Sequence, residues 1–529
     1  MGCEKYYLKQ NVLVEPLINQ WYAWSYLIPP ATGSMYIANQ HLKIMQSFVS
    51  APQVHVSALR NPAMIGGPFI NYGADKVPEI KSLMERTIEE QSDILSLADS
   101  IKQFDELLQN EAAGYSLEPL YQKVPDPLKG FVELVYDLNN HPSIRLIEGL
   151  LYRSKYYKKK SQSIAISLVE GDYRPFVFST PRLETPDSLH LRQPFASEAI
   201  DELFKMKQVP QSLEYIKETL GVQAGHDDLF SSFFTKDGVA LPETYSGDSV
   251  RVRYFGHACL LVESKNVSVL CDPLISYAYD NGISRYSYTD LPETIDYALI
   301  THNHQDHCLF ETLLQLRHRV KNIVVPRNNS GGLADPSLKQ VVQRLGFQNV
   351  LELDDMETIE IDGGFIMGLP FLGEHGDLNI RTKSAYLVEM NGKSILAGAD
   401  SNNIAPALYS HIHAAVGDID ILFIGMECDG APLSWIYGPL LTRPLVRKMD
   451  QSRRFDGSDC EKAIQIVDQL KPKQVYVYAM GQEPWLTHLT AIQYTEQSKP
   501  IVESTKLVHY CRSQSIASER LFGQKEIFL

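Results

Sequence analysis

Residues 298–313 read ALITHNHQDHCLFETL, and within them His302, His304, Asp306 and His307 fall inside six consecutive positions. Packing alone asks for no such density of imidazole and carboxylate; the competing interpretation is an exposed His-rich turn that binds nothing. The preceding YALIT (297–301) has the composition of a buried strand, so the cluster sits on the loop leaving a strand end. His302 and His304, two apart on an extended segment, turn toward one point, and Asp306 and His307 reach a second ion beside it. Such ligands suit zinc, iron or manganese, and paired metals sit about 3.5–4 Å apart. A chain carrying this loop must fold so that other strand ends deliver more ligands to the same edge.

Three later segments offer them. LPFLGEHGDLN (369–379) presents Glu374, His375 and Asp377 in a Gly-punctuated loop after an apolar run. SILAGADSNN (394–403) ends a strand-like run at Asp400, whose carboxylate can bridge two metals or simply cap a turn. YVYAMGQEPWLTHLT (476–490) puts His488 beyond another strand end, where a single histidine has a structural reading too. Glu427 and Asp429 in MECDGAPLSW stand as supporting carboxylates or loop caps, outside the ligand set.

The chain of 529 residues exceeds what one core holds, since single cores stop growing near roughly 250–300 residues. Its first part is rich in helix-period segments. Residues 77–112 predict one or two amphipathic helices, and 199–222 a helical pair broken at Pro210. Residues 163–180 predict a hairpin or small sheet. TKDGVALPETYSGDS (235–249) is the boundary candidate, dividing the chain into 1–245 and 246–529. Beyond it short strand-like runs recur with helices between, as in 458–472, which predicts two mixed sheets covered by helices. Ten of the fifteen histidines lie after residue 250.

Composition narrows the function. A net charge of −15 argues against nucleic acid and anionic membrane as partners. No apolar run approaches the ~20 residues of a membrane span, no secretory leader is visible, and Tyr6 stands where a myristoylation signal needs Ser or Thr. The seven cysteines form no CxxC pair, which suits a reducing compartment, so a cytoplasmic location is expected.

RYFGHACLLVESKNVSVLCDPLIS (253–276) followed by THNHQDH resembles the metallo-β-lactamase fold, which implies an α+β protein with a C-terminal αββα sandwich and a dinuclear site at one edge. The N-terminal WYAWSYLIPPATGSMYIANQHLKIMQSFV and MIGGPFINYG, with GEHGD and MGQEPWLTHL, resemble a narrower family over essentially the whole chain. These are the di-iron β-hydroxylases that act on amino acids tethered to nonribosomal peptide synthetase carrier domains. The resemblance implies His302, His304 and Glu374 on a first iron, Asp306, His307 and His488 on a second, and Asp400 between them. Glu374 then stands where hydrolases of this fold place a histidine. Glu374 and Asp400 are the residues on which it implies catalysis turns. It implies an O2-dependent monooxygenase supplied by an electron-transfer protein, a substrate amino acid linked through phosphopantetheine, and a homodimer. The alternative is a zinc-dependent hydrolase of an ester, thioester or lactone, with His375 as the third ligand.

Two surface questions remain open at this level. YRSKYYKKK (152–160) is a carrier-docking patch or a solvated helix end. Trp21, Tyr22, Trp24 and Tyr26 line a dimer interface or substrate entrance, or form the core of the first domain.

Overall fold

The computed structural model describes residues 4–240 and 244–529; the boundary stretch 235–249 and Cys3 therefore lie partly or wholly outside it. Beyond residue 250 the strand-like runs assemble into two seven-stranded sheets. In the first, strand Ile295–Leu299 lies near the centre, parallel to Ser268–Cys271 on one side and Val320–Pro326 on the other. In the second, Lys393–Ala397, Ile421–Gly425 and Gln474–Tyr478 run parallel to one another.

Apolar side chains from both sheets, among them Val262, Val269, Leu299, Ile366, Val388 and Phe423, form a buried layer between them. Helices Ala407–Val416, Cys460–Leu470 and Lys499–Ser513 cover the outer face of the second sheet. The result is the expected αββα sandwich. Helix Cys460–Leu470 starts where Asp459 Oδ1 accepts from the Lys462 N–H and stops at Lys471, whose left-handed backbone (φ +48°) precedes Pro472.

The N-terminal half is mixed and mostly helical. Its antiparallel sheet runs Trp21–Tyr22, Val12–Ile18, Gln162–Leu168, Leu189–Leu191. Of the segment 163–180, the first part thus joins this sheet rather than making its own hairpin. Residues 77–112 form two helices, Val77–Glu90 and Ser92–Glu111, and 199–222 form Glu198–Lys205 and Leu213–Leu220.

The two halves share a core. One apolar cluster includes Tyr26, Met35, Phe104 and Phe178 from the first half and Leu313, Leu338, Tyr437 and Leu489 from the second. Trp21, Tyr22, Trp24 and Tyr26 are all buried, which answers the question of the aromatic segment in favour of core. Beside them runs a buried charge network: Glu15 pairs with Arg174 at 2.7 Å and Arg182 at 3.0 Å, and Arg174 also pairs with Glu311 at 2.7 Å. Tyr22 and Tyr277 donate to Glu311, so every charge in the group is answered.

Candidate metal centre

The sheet topology brings four loops to one edge. Strands with the same direction deliver their C-terminal ends together. Ile295–Leu299 leads to the His302–His307 loop, Gly364–Leu369 to Glu374, Lys393–Ala397 to Asp400, and Ile421–Gly425 to Glu427. The Ser384 N–H donates to the Thr301 carbonyl and His302 bridges Lys383, so the histidine loop is stitched across to the second sheet.

Side chains converge there as three groups, each with donor atoms within 4.8 Å of one another: His302, His304 and Glu374; His302, His307 and Asp400; and His257, Asp306 and His307. Asp400 Oδ2 lies 3.0 Å from His307 Nε2 and 3.7 Å from His302 Nε2, between the two imidazoles. Glu374 Oε1 is 3.1 Å from His304 Nδ1. His302 Nε2, His307 Nε2 and Asp400 Oδ1 are buried and carry no hydrogen bond, as expected of atoms that ligate an ion.

The charges point the same way. Burial first, then Asp400, Glu427 and Asp306, push the Glu374 carboxyl well above its ordinary range. Burial, followed by Asp400 and its acidic neighbours, does the same to Glu427. Burial works against an ionised Asp306, yet His257 and His307 hold its carboxyl below the usual range. Burial, then neighbouring histidines, holds His302 well below the ordinary imidazole value, and burial brings His304 down to about 4. Burial opposes a charge on His307, but Asp400 and Asp272 hold its imidazole well above the ordinary value, so neutral and charged imidazoles surround crowded carboxylates, a donor set that multivalent cations complete. The residues fit a two-metal centre.

Backbone strain concentrates here. His257, Asp272, Glu374 and Ala399, the residue before Asp400, are non-glycine residues at φ of +50°, +41°, +66° and +49°. Such conformations persist only where the surroundings enforce them.

One residue of the expected set stands apart from these groups, although both its ring nitrogens are buried and carry no hydrogen bond. His488, in the short helix Thr487–Thr490, is not in any of the three groups. Its carbonyl accepts from the Val177 N–H, and its ring faces a small cavity of about 20 Å³ lined also by Arg174, Tyr277, Glu311 and Trp485. The turn at Pro484–Leu486 carries it to the buried junction between the halves, where the next residue, Leu489, accepts from the Gln305 amide of the histidine loop.

Sequence reasoning missed two residues. His257 Nε2 lies 3.2 Å from Asp306, and its Nδ1 accepts from the Gly481 N–H, which turns the Nε2 side of the ring toward the Asp306 carboxylate. Asp272 Oδ2 sits 2.8 Å from His307 Nδ1 and accepts from the Thr301 hydroxyl, which turns His307 Nε2 toward Asp400. Both lie in the quoted 253–276 segment, where only the glycine beside one and the proline after the other mark them. His375 stacks on His304, ring centroids 4.7 Å apart, with neither ring nitrogen hydrogen-bonded. Asp377 is exposed, and Asp429 pairs with Arg454 on the surface. Cys259, Cys271 and Cys308 are buried free thiols. A cleft of about 500 Å³ opens onto Asp306, Glu374, Asp400 and Glu427.

Two packed mixed sheets with a histidine–carboxylate site at their common edge define a metalloenzyme of the metallo-β-lactamase fold. Residues 251–478 match the family described as "Beta-lactamase superfamily domain", and residues 7–238 match "Diiron non-heme beta-hydroxylase N-terminal domain". The chain is 39% identical to 4-amino-L-phenylalanyl-[CmlP-peptidyl-carrier-protein] 3-hydroxylase of Streptomyces venezuelae, over 99% of this chain and 100% of that one. The crystal structure of CmlA, a diiron beta-hydroxylase from the same organism, superposes with a TM-score of 0.93 at 38% identity, covering all of both chains. A mutant of CmlA gives 0.91 at 38% identity, over 99% of this chain and 100% of that one. The chain belongs to the di-iron non-haem β-hydroxylases, and it is an oxygenase.

Proposed function

We propose that this protein β-hydroxylates an amino acid held as a thioester on a nonribosomal peptide synthetase carrier domain, in natural-product biosynthesis. The observation that carries the reading is the position of Glu374. Its carboxylate, and not the neighbouring His375 ring, joins His302 and His304. A carboxylate there adds negative charge and hard oxygen, which suits iron moving between oxidation states and argues against the zinc-hydrolase alternative. The similarity to a hydroxylase of carrier-bound aminophenylalanine supports the substrate class.

In this reading His302, His304 and Glu374 would hold one iron, Asp306, His307 and His488 the other, with the Asp400 carboxylate available to both. Glu374 and Asp400 set the charge at the pair. Two irons, when bound, supply the activation of O2, with electrons from an external electron-transfer protein. The chain's own work is positioning: Asp272 and His257 orient His307 and Asp306, while the buried walls exclude water. We place the division of labour at 1–245 for substrate access and dimerisation and 246–529 for catalysis, in a cytoplasmic homodimer.

The test is mass spectrometry of candidate aminoacyl carrier domains after incubation with iron-loaded, reduced enzyme and O2. Gain of one oxygen atom on the carrier-bound amino acid is the expected result. Hydrolytic release of the amino acid with zinc bound, and no oxygen gain with iron, would establish the hydrolase instead.

A further inference from the structure

The metal cleft adjoins a second one. Gly66, Gly67 and Trp435 line both, and the second has a volume of about 750 Å³. Where they meet, the Trp435 indole N–H donates to the Gly66 carbonyl at 3.0 Å. Gly66 has a φ of +85°, and a Cβ there would stand 2.7 Å from the Ala491 Cβ, so the junction has no room for a side chain. The MIGGPF segment thus forms the neck between the two clefts.

The second cleft is apolar along Phe176, Phe178, Pro439 and Leu441, and it carries two cations, Lys43 and Lys102. Lys43 is exposed near the start of helix Leu42–Ser50, and half-buried Lys102 lies midway along Ser92–Glu111. Lys102 donates to the neutral Asn39 side chain, and among the described residues neither lysine forms an ion pair with a carboxylate. Asp450, the carboxylate lining this cleft, is occupied by the Ser434 N–H and hydroxyl. Partial burial, then the Lys43 charge, holds the Lys102 ammonium below its usual range, with Asp99 opposing. Two cations face one cleft whose lining carboxylate, Asp450, is turned to Ser434 and pairs with neither.

We infer that Lys43 and Lys102 form the binding site for the phosphate of a carrier's phosphopantetheine arm, which threads this cleft and passes Gly66 to the metals. The inference rests on the carrier-bound substrate proposed above. A phosphopantetheine arm is a narrow chain of amide and alkyl groups with its one anionic group at the carrier end and the thioester at the other. The two clefts offer the same groups: cations and apolar walls in the second, glycine backbone where they adjoin, and the metal-binding carboxylates in the first. A phosphate between two ammonium groups makes charge-assisted hydrogen bonds and relieves their repulsion. The basic stretch 152–160 is a poorer candidate, because Lys158 already pairs with Asp93 and donates to the Glu90 carbonyl.

The experiment measures calorimetric affinity of the full chain for phosphopantetheine and for pantetheine, which lacks the phosphate. The wild-type protein should prefer phosphopantetheine by about tenfold, the size of one or two charge-assisted hydrogen bonds. Lys43→Gln/Lys102→Gln should bring the ratio to about one, and Lys43→Arg/Lys102→Arg should keep most of it, since charge is retained. Added salt should shrink the wild-type ratio. No phosphate preference in the wild type, or a preference that survives in the double Gln variant, overturns the site. The two readings fail separately: a flat phosphate ratio removes this subsite while oxygen insertion on carrier substrates continues, whereas absent oxygen insertion with the ratio intact removes only the proposed reaction.

Discussion

At the scale of single residues, the centre is built as much by groups that touch ligands as by ligands. Asp272 fixes His307 through a hydrogen bond, and His257 faces the Asp306 carboxylate at 3.2 Å. Asp272→Asn and His257→Ala should each weaken binding of one iron by about 10–100-fold, the range for such supporting groups. Iron stoichiometry after dialysis against a chelator checks this, and His488→Ala should lower it too. A different residue sets a pH dependence. Burial, then the nearby Arg319, lowers the Lys207 ammonium from 10.5 to about 7, with the Gln10 carbonyl as its acceptor. Between those values the unfolded chain binds more protons than the folded one, so this group's contribution to stability rises with pH across that window. Below about 7 its full penalty, on the order of a few kcal/mol, is present. Lys207→Met should flatten that slope and raise the urea midpoint at neutral pH; an unchanged slope would show that Lys207 is not its source.

At the scale of elements, the site depends on where loops cross. The hairpin Val132–Tyr136 and Pro142–Leu146 docks on the loop after strand Val320–Pro326 through the Leu146 N–H, which donates to the Gly331 carbonyl at 2.9 Å. Gly331 has a φ of +94°, and a Cβ there would stand 2.2 Å from the Leu146 carbonyl oxygen. Gly331→Ala should therefore destabilise by about 1–3 kcal/mol, as overpacking does, read as a lower urea midpoint with unchanged slope. Elements were also where the sequence spoke most clearly. The amphipathic stretch 77–112 and the Asp459-capped helix formed as their periodicity and caps required. Residues 169–180 did not pair as a hairpin, because Val12–Ile18 offered Gln162–Leu168 a longer partner from elsewhere in the chain.

At the scale of the whole molecule, the two halves are joined by one apolar core and a buried charge network. Glu311 sits on the catalytic half, and its partners Arg174 and Tyr22 sit on the other. Glu311→Ala leaves Arg174 facing a single carboxylate in a buried setting, and should cost about 3–5 kcal/mol. Because the apolar core also spans the halves, fluorescence and far-ultraviolet circular dichroism should follow one coincident unfolding transition, lowered as a unit in the variant. Separate transitions for the two halves would contradict the shared core.

The sequence by itself determined the fold of the catalytic half and the ligands that cluster locally. His302, His304, Asp306 and His307 stand on one loop, and Glu374 and Asp400 each follow a strand-like run, so chain proximity and strand periodicity carry them to one edge. What only the tertiary structure decided was the group beside Asp306. His488 and His257 are both single histidines near strand ends, and no local pattern ranks one above the other. Strained backbone aims His257 at Asp306, and the turn at Pro484–Leu486 sets His488 where the two halves join. Asp272 and the Gly66 neck were hidden for the same reason: a hydrogen bond or a missing side chain acts across space, between residues whose separation in the chain carries no period to read.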